Sequence, residues 1–229
     1  MERPIHAAPY RVETDRLVLR CPEISDLRVI HDGVVETLPA LRPWMPWVAD
    51  EPVSLSERAR VIQRLRSGFD RGEDFTYMMF RRDSGGYVGG AGLHARVGEG
   101  GVELGYWVRS SEQGRGLAGE AASGLLRTAF EHMGVDRVEI RIERDNRPSH
   151  RVVEKLGVSK EATLRRRFPR AGDLRDVNLF TVFRADFPAC TAAGVAVSWL
   201  DAAGKPVHSR FPFPDGSPGA SGSARRRSK

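Results

Sequence analysis

Residues 113–119 read Gln-Gly-Arg-Gly-Leu-Ala-Gly, three glycines around one arginine. They stand between two regular patterns: Val102, Leu104, Tyr106 and Val108 at every second residue, and Leu117, Ala121, Leu125, Ala129 and Met133 at every fourth. The first spacing is that of a strand and the second that of a helix face, so the glycines form the turn from strand into helix. Glycine lets a backbone turn tightly and present successive N–H groups, and a helix N-terminus adds unpaired donors and partial positive charge. Together these suit a pyrophosphate, with Arg109 and Arg115 nearby to neutralise it. No Lys-Ser/Thr pair follows the glycines, which excludes a P-loop. No Gly-x-Gly-x-x-Gly opens the first strand–helix junction, which excludes a dinucleotide fold.

The elements that must hold this turn alternate along the chain. A short strand at 16–20 precedes a helix opened by Ser25, with Leu27, Ile30, Val34 and Leu38 on its apolar face. A second helix starts at a capping box, Ser54 with Glu57 three residues on, and carries Leu55, Ala59, Ile62, Leu65 and Phe69. Strands at 75–81 and 87–94 form a hairpin across Asp83-Ser84-Gly85-Gly86. After the glycine turn and its helix come a strand with Val138, Ile140 and Ile142, a short helix at 149–156 closed by Gly157, and two last strands at 162–168 and 176–183. Three consecutive strands with few helices between them predict an α/β fold with a mixed sheet, not a doubly wound one.

Composition bounds the rest. The chain has 229 residues, 40% of them hydrophobic, enough for one domain with a real core plus an appendage. Its mean hydropathy is -0.39 and no apolar run is long enough to span a bilayer. No apolar segment of a secretory signal follows Met1. Cys21 and Cys190 are the two cysteines, without a Cys-x-x-Cys pair, so a disulfide scaffold and a cysteine zinc site are excluded and a reducing cytoplasm is expected. The net charge is +6, but the segment from 188 onward holds six basic and two acidic residues, leaving +2 for the rest. A nucleic-acid partner is therefore not expected of the domain. The predicted domain spans residues 10–187. Residues 188–229, rich in proline, glycine and basic residues, read as an appendage, disordered at least over 215–229, with a marginal hairpin within 195–211.

Gln113-Gly-Arg-Gly116-Leu-Ala118 matches the Q/R-x-x-G-x-G/A acyl-CoA motif, and the chain here resembles the GNAT N-acetyltransferases. Asn146, Ser149 and the closing Leu156-Gly157 are similar to the superfamily's second signature, with Val158 where a Phe is usual. The stretches beginning at Thr14, Leu41 and Asp176 resemble the RimJ/RimL branch, which acetylates ribosomal-protein N-termini. The likeness runs from residue 14 to 184. It implies a GNAT fold, a central mixed, splayed, mostly antiparallel sheet flanked by helices. It also implies acetyl-CoA as co-substrate and no metal.

The same resemblance assigns roles. The strand before the glycine turn splays from its parallel neighbour, so that backbone groups near Trp107, Val108 and Arg109 pair with pantetheine and an N–H near Val108 stabilises the oxyanion. Gln113, Gly114, Arg115, Gly116, Leu117, Ala118 and Gly119 cradle the pyrophosphate, and Asn146 bonds the pantetheine arm. Ser149 stands where related enzymes protonate the thiolate; it is equally suited to cap its helix. Glu103 is the candidate base, acting through water, or a salt-bridged strand carboxylate. Asp176 and His94 are second candidates, and Phe168 stands where some relatives carry a glutamate. Trp44 and Trp47, in an extended loop stiffened by Pro43 and Pro46, form the substrate wall or a packed cover over the helices. The expected acceptor is a protein N-terminal α-amine. A small-molecule amine, or acyl-CoA sensing without turnover, remains as an alternative, and a homodimer stays open.

Overall fold

The computed structural model describes residues 7–213 apart from residue 171. Ten strands form one sheet: β1 (Arg11–Glu13), β2 (Leu17–Arg20), β3 (Asp74–Arg81), β4 (Tyr87–His94), β5 (Gly101–Val108), β6 (Arg137–Glu143), β7 (Lys160–Arg170), β8 (Asp173–Phe183), β9 (Ser198–Leu200) and β10 (Pro206–Val207). Four helices cover it: α1 (Leu27–Leu41), α2 (Leu55–Asp70), α3 (Leu117–Arg127) and α4 (Arg147–Lys155). The spatial order is β10-β9-β1-β2-β3-β4-β5-β6-β8-β7. Every neighbouring pair is antiparallel except β5–β6. The sheet is mixed and flanked by helices on both faces, as the resemblance implies.

Strand alternation sorts the core into two layers. Phe75, Tyr77 and Met79 of β3 join the larger cluster with α3 and α4, whereas Met78 and Phe80 join the smaller one with α1 and Ile62 of α2. The heptad-like apolar residues of α3 are all fully buried. Helix α2 opens on the expected capping box: Ser54 Oγ accepts from the Glu57 N–H, and Glu57 accepts from the Ser54 N–H at 2.9 Å.

Two expectations need correction. The boundary at 187 does not coincide with the edge of the core. Phe187, Ala192, Ala193 and Trp199 are buried, and β9 pairs with β1 antiparallel, so the described part of the appendage adds two strands to the sheet. The stretch 215–229 lies outside the described residues. The Trp44–Trp47 segment is not extended: the Met45 N–H donates to Leu41 O at 2.9 Å, and Pro46–Val48 form a 3-10 turn. Proline at the start of a helical turn loses no hydrogen bond there, so the two prolines favour a wound segment as readily as a straight one.

Candidate active site

The parallel pair β5–β6 is short. Its register runs Gly101↔Arg137, Val102↔Val138, Glu103↔Glu139 and stops, while β5 continues to Val108 along β4 and β6 to Glu143 along β8. Beyond Glu103 the two strands part. Successive backbone groups of a strand face alternate edges. Because the Arg109 N–H donates to Val88 O of β4 at 2.7 Å, the Val108 N–H faces the opposite edge, into the gap. The Val108 carbonyl, on that same edge, accepts from Gln113 Nε2 at 3.0 Å, which ties the glycine turn to the strand end.

That turn is built as the sequence predicts. Gly114 and Gly116 have φ of 77° and 76°, left-handed values that side-chain-bearing residues rarely adopt. Gly116 is the N-cap of α3, and no side chain caps the first turn, so its leading N–H groups are available donors. A Cβ at Gly114 or Gly119 would meet nothing within 4 Å, which leaves open space over the turn. These features fit a diphosphate. Arg115 lies beside it with its side chain 55% exposed, 3.6 Å from Glu112. Arg109 does not: its Nε bonds Glu36 of α1 at 2.5 Å, and Glu36 also accepts from the Ser111 N–H. The expected phosphate role of the Arg109 guanidinium is thus replaced by a link between α1 and the turn. Burial raises the Glu36 carboxyl, but the Ser111 N–H and Arg109 outweigh it and hold the group below its usual range.

A second support escaped sequence reasoning. Glu120, in the first turn of α3, accepts from Thr14 Oγ1 at 2.6 Å, from the Arg16 N–H at 2.7 Å and from Arg16 Nε at 2.6 Å. Arg16 Nη1 also donates to Arg115 O at 3.0 Å. The partners are 99 to 106 residues apart, so no local pattern announces them.

Across the gap, Asn146 and not Ser149 is the N-cap of α4, its Oδ1 accepting from the Ser149 N–H at 3.3 Å. The capping alternative for Ser149 is overturned, and its hydroxyl is not engaged as a cap. Tyr106 reaches from β5 to the same place, donating its hydroxyl to Ser149 O at 3.4 Å. Burial pushes that phenol up to about 12, so it stays protonated.

On the opposite face of β4 and β5, His94 and Trp107 fold over Gly90, Gly92 and Gly105; a Cβ on Gly90 would lie 2.8 Å from Trp107 Nε1, and one on Gly92 2.8 Å from His94 Nε2. The Trp47 ring, 46% exposed, sits 6.0 Å from the Trp107 ring, while Trp44 is half-buried. At the root of the gap the register lines up Asp74, His94, Glu103 and Glu139 across four strands. His94 Nδ1 bonds Asp74 Oδ2 at 2.8 Å, and this bond holds Asp74 below its usual range against the upward push of burial. Glu103 is paired with Arg96 at 2.7 Å and Arg141 at 3.6 Å. Asp176 lies elsewhere, with Arg144 at 3.5 Å.

The acetyltransferase (GNAT) domain family matches residues 16–159. The chain belongs to the GNAT acetyltransferase family. Among curated proteins it is 24% identical over 176 residues to the N-acetyltransferase YnaD of Bacillus subtilis, covering 77% of this chain and 98% of that protein. To the ribosomal protein uS5 alanine N-acetyltransferase of Escherichia coli it is 28% identical, covering 66% and 79%. Among solved structures, Mycobacterium smegmatis RimJ in complex with CoA-disulfide superposes with a TM-score of 0.70 at 23% identity, covering 80% of this chain and 92% of RimJ. The microcin C7 self-immunity acetyltransferase MccE in complex with acetyl-CoA and AMP superposes at 0.66 and 18% identity, covering 74% and 93%. This GNAT protein is an acetyl-CoA-dependent acyltransferase. Among the described residues there is no cluster suited to a metal ion and no helix long and apolar enough to cross a membrane.

Proposed function

We propose that this enzyme transfers the acetyl group of acetyl-CoA to the α-amine of a protein N-terminus of ribosomal-protein type, by direct attack in a ternary complex. The observation that carries the reading is the gap itself. Strand β5 leaves β6 after Glu103 and ends in an uncapped glycine turn, which supplies backbone donors for a thioester arm and for its diphosphate. Trp107 and Val108 line the arm, residues 113–119 hold the phosphates, and the Asn146 amide nitrogen faces the arm while its oxygen caps α4. The N–H of Val108 stabilises the oxyanion. Ser149 protonates the departing thiolate, and Glu103 takes the amine proton through water. The likeness to RimJ and to the uS5 enzyme supports the acceptor class. Acetyl-CoA is an intracellular metabolite, which supports a cytoplasmic place.

One observation favours a second base. Glu103 already neutralises Arg96 and Arg141, whereas His94 is oriented by Asp74 and turns Nε2 over Gly92 and Gly105. The deciding assay is release of free thiol from acetyl-CoA with Ser- and Ala-starting peptides and with small amines. Peptide-dependent release supports the reading. Release with a small amine alone moves the acceptor class to a small-molecule amine, and binding of acetyl-CoA without release on any acceptor favours a sensor.

A further inference from the structure

The hairpin β7–β8 carries an interruption that the transfer reaction does not use. Its register slips by one residue between Lys160 and Ala162, runs in step from Ala162↔Leu179 to Leu164↔Val177, and resumes at Phe168↔Arg175. Three residues on β7 therefore stand opposite one on β8, and the three are Arg165, Arg166 and Arg167, opposite Asp176. The bulge is held in place. The Arg166 N–H donates to Asp176 Oδ1 at 3.0 Å, and Arg166 has a φ of 52°, a left-handed value that costs a non-glycine residue energy and persists where its surroundings enforce it. All three arginines are exposed. Bulges of this kind re-aim side chains at the rims of sheets and beside functional sites.

Its place in the fold gives it a neighbour. Asp176 also pairs with Arg144 at 3.5 Å, and Asp176 O accepts from the Arg144 N–H. Arg144 lies two residues before the N-cap Asn146, and Ser149 follows three residues later. The arginine bulge is thus anchored through Asp176 and Arg144 to the segment that carries the candidate thiolate acid, on the side of β6 away from the gap.

We infer that this bulge docks an acidic stretch of polypeptide, the residues that follow the acceptor's N-terminal amine. The inference rests on the proposed transfer to a protein N-terminus. Guanidinium groups match carboxylates with two parallel hydrogen bonds, and three of them in consecutive positions offer charge to more than one carboxylate. A polypeptide is the occupant that the proposed transfer requires, and Glu161, Asp173 and Asp176 interrupt the hairpin's basic residues, Lys160, Arg165, Arg166, Arg167, Arg170 and Arg175, where a repeating phosphate backbone would meet them. A short acidic segment need touch the bulge alone.

The test uses the full chain and matched Ala- or Ser-starting peptides, one set with Glu or Asp at positions 3–6 and one with Gln or Asn there. Binding is read by fluorescence anisotropy of the labelled peptide with CoA present, and turnover by thiol release. The acidic set should show a KM and a dissociation constant lower by about tenfold at low salt, a preference that shrinks as salt rises. Arg165→Ala/Arg167→Ala should abolish the preference with kcat on neutral peptides and the melting temperature unchanged, and Arg165→Glu/Arg167→Glu should reverse it. Equal behaviour of the two peptide sets, or a preference that survives both variants, overturns the inference. So does loss of RNA affinity in the variants with peptide binding intact, which would make a nucleic acid the occupant. Arginine-dependent binding of acidic peptides without thiol release from any of them would sustain the docking surface and refute the acceptor reading.

Discussion

At the scale of single residues, the proposed chemistry divides between groups that sequence can reveal and groups that only three-dimensional proximity brings together. Ser149, Asn146 and the glycines of residues 113–119 were legible because each belongs to a short local pattern. Tyr106 read as an apolar strand residue, and the contact of Thr14 and Arg16 with Glu120 gave no signal, because the partners lie far apart along the chain. Ser149→Ala should lower kcat by about 10²–10⁴ with little change in the KM for acetyl-CoA, as expected for loss of a proton donor. Glu103→Gln should lower kcat with the KM for acetyl-CoA little changed; if His94→Gln does so and Glu103→Gln does not, the histidine is the base. Arg16 supports a different prediction. Its guanidinium neutralises a carboxylate of side-chain exposure 9% in the first turn beneath the phosphate site. Arg16→Ala leaves that charge facing a diphosphate. The KM for acetyl-CoA should rise by about tenfold with the KM for the acceptor unchanged. Glu120→Gln in the same chain should restore part of the loss, which simple loosening of the turn would not allow. Steady-state titration of each substrate against the other separates the two.

At the scale of elements, periodicity located nearly every helix and strand of the site, while their mutual attachment was hidden. The capping box of α2 and the apolar faces of α1 and α3 stand where the residue spacing puts them. What the spacing left out is that α1 reaches across to the end of β5. Glu36 takes Arg109 Nε and the Ser111 N–H, and Thr37 Oγ1 accepts from the Ser110 N–H at 3.1 Å. The turn proposed to hold the phosphates is therefore clamped from its upstream side by one helix. Glu36 has a folded-state carboxyl held below its usual value, so its stabilising contribution is fully present above the ordinary carboxylate range and is lost as pH falls through the lowered value. Glu36→Gln cannot accept from a guanidinium as a charged partner at any pH. Acetyl-CoA affinity of the wild type should weaken on acidification below the ordinary carboxylate range, and the variant should be weak already at neutral pH and flatter below it. Calorimetric binding of acetyl-CoA across pH measures both.

At the scale of the whole molecule, composition misplaced the domain's edge. Proline and glycine after residue 188 resemble a tail; the hairpin expected within 195–211 is present as β9 and β10, but its residues do not announce that β9 joins the sheet at β1. Its partners are remote. Trp199 Nε1 donates to Thr128 Oγ1 at 2.9 Å, Arg127 Nη1 to Val195 O at 2.7 Å, and the N–H groups of Arg210 and Phe211 both to Glu131 O at 2.9 Å. Thr128 and Glu131 belong to a π-helical turn, Thr128–Met133, that prolongs α3. A π-turn breaks the regular i→i−4 ladder and changes which carbonyls are satisfied within the helix, and here Glu131 O is met by the C-terminal segment. The segment thus completes the far end of the helix whose near end presents the proposed phosphate donors. Trp199→Ala removes a buried indole and its bond to Thr128 Oγ1, which keeps its own donation to Gly124 O at 2.8 Å, a cost of about 3–5 kcal/mol, or about 6–20 °C in melting temperature for a chain of this size. A chain ended after residue 187 should fare worse, because it bares Phe130 and Phe187, now 4.9 Å apart ring to ring, and leaves β1 as an open edge. Such a chain should aggregate at concentrations where the full protein stays in solution. A truncated chain that melts cooperatively at the full-length temperature and still binds acetyl-CoA would show that the core ends where its composition suggests, and that β9 and β10 only lie against it.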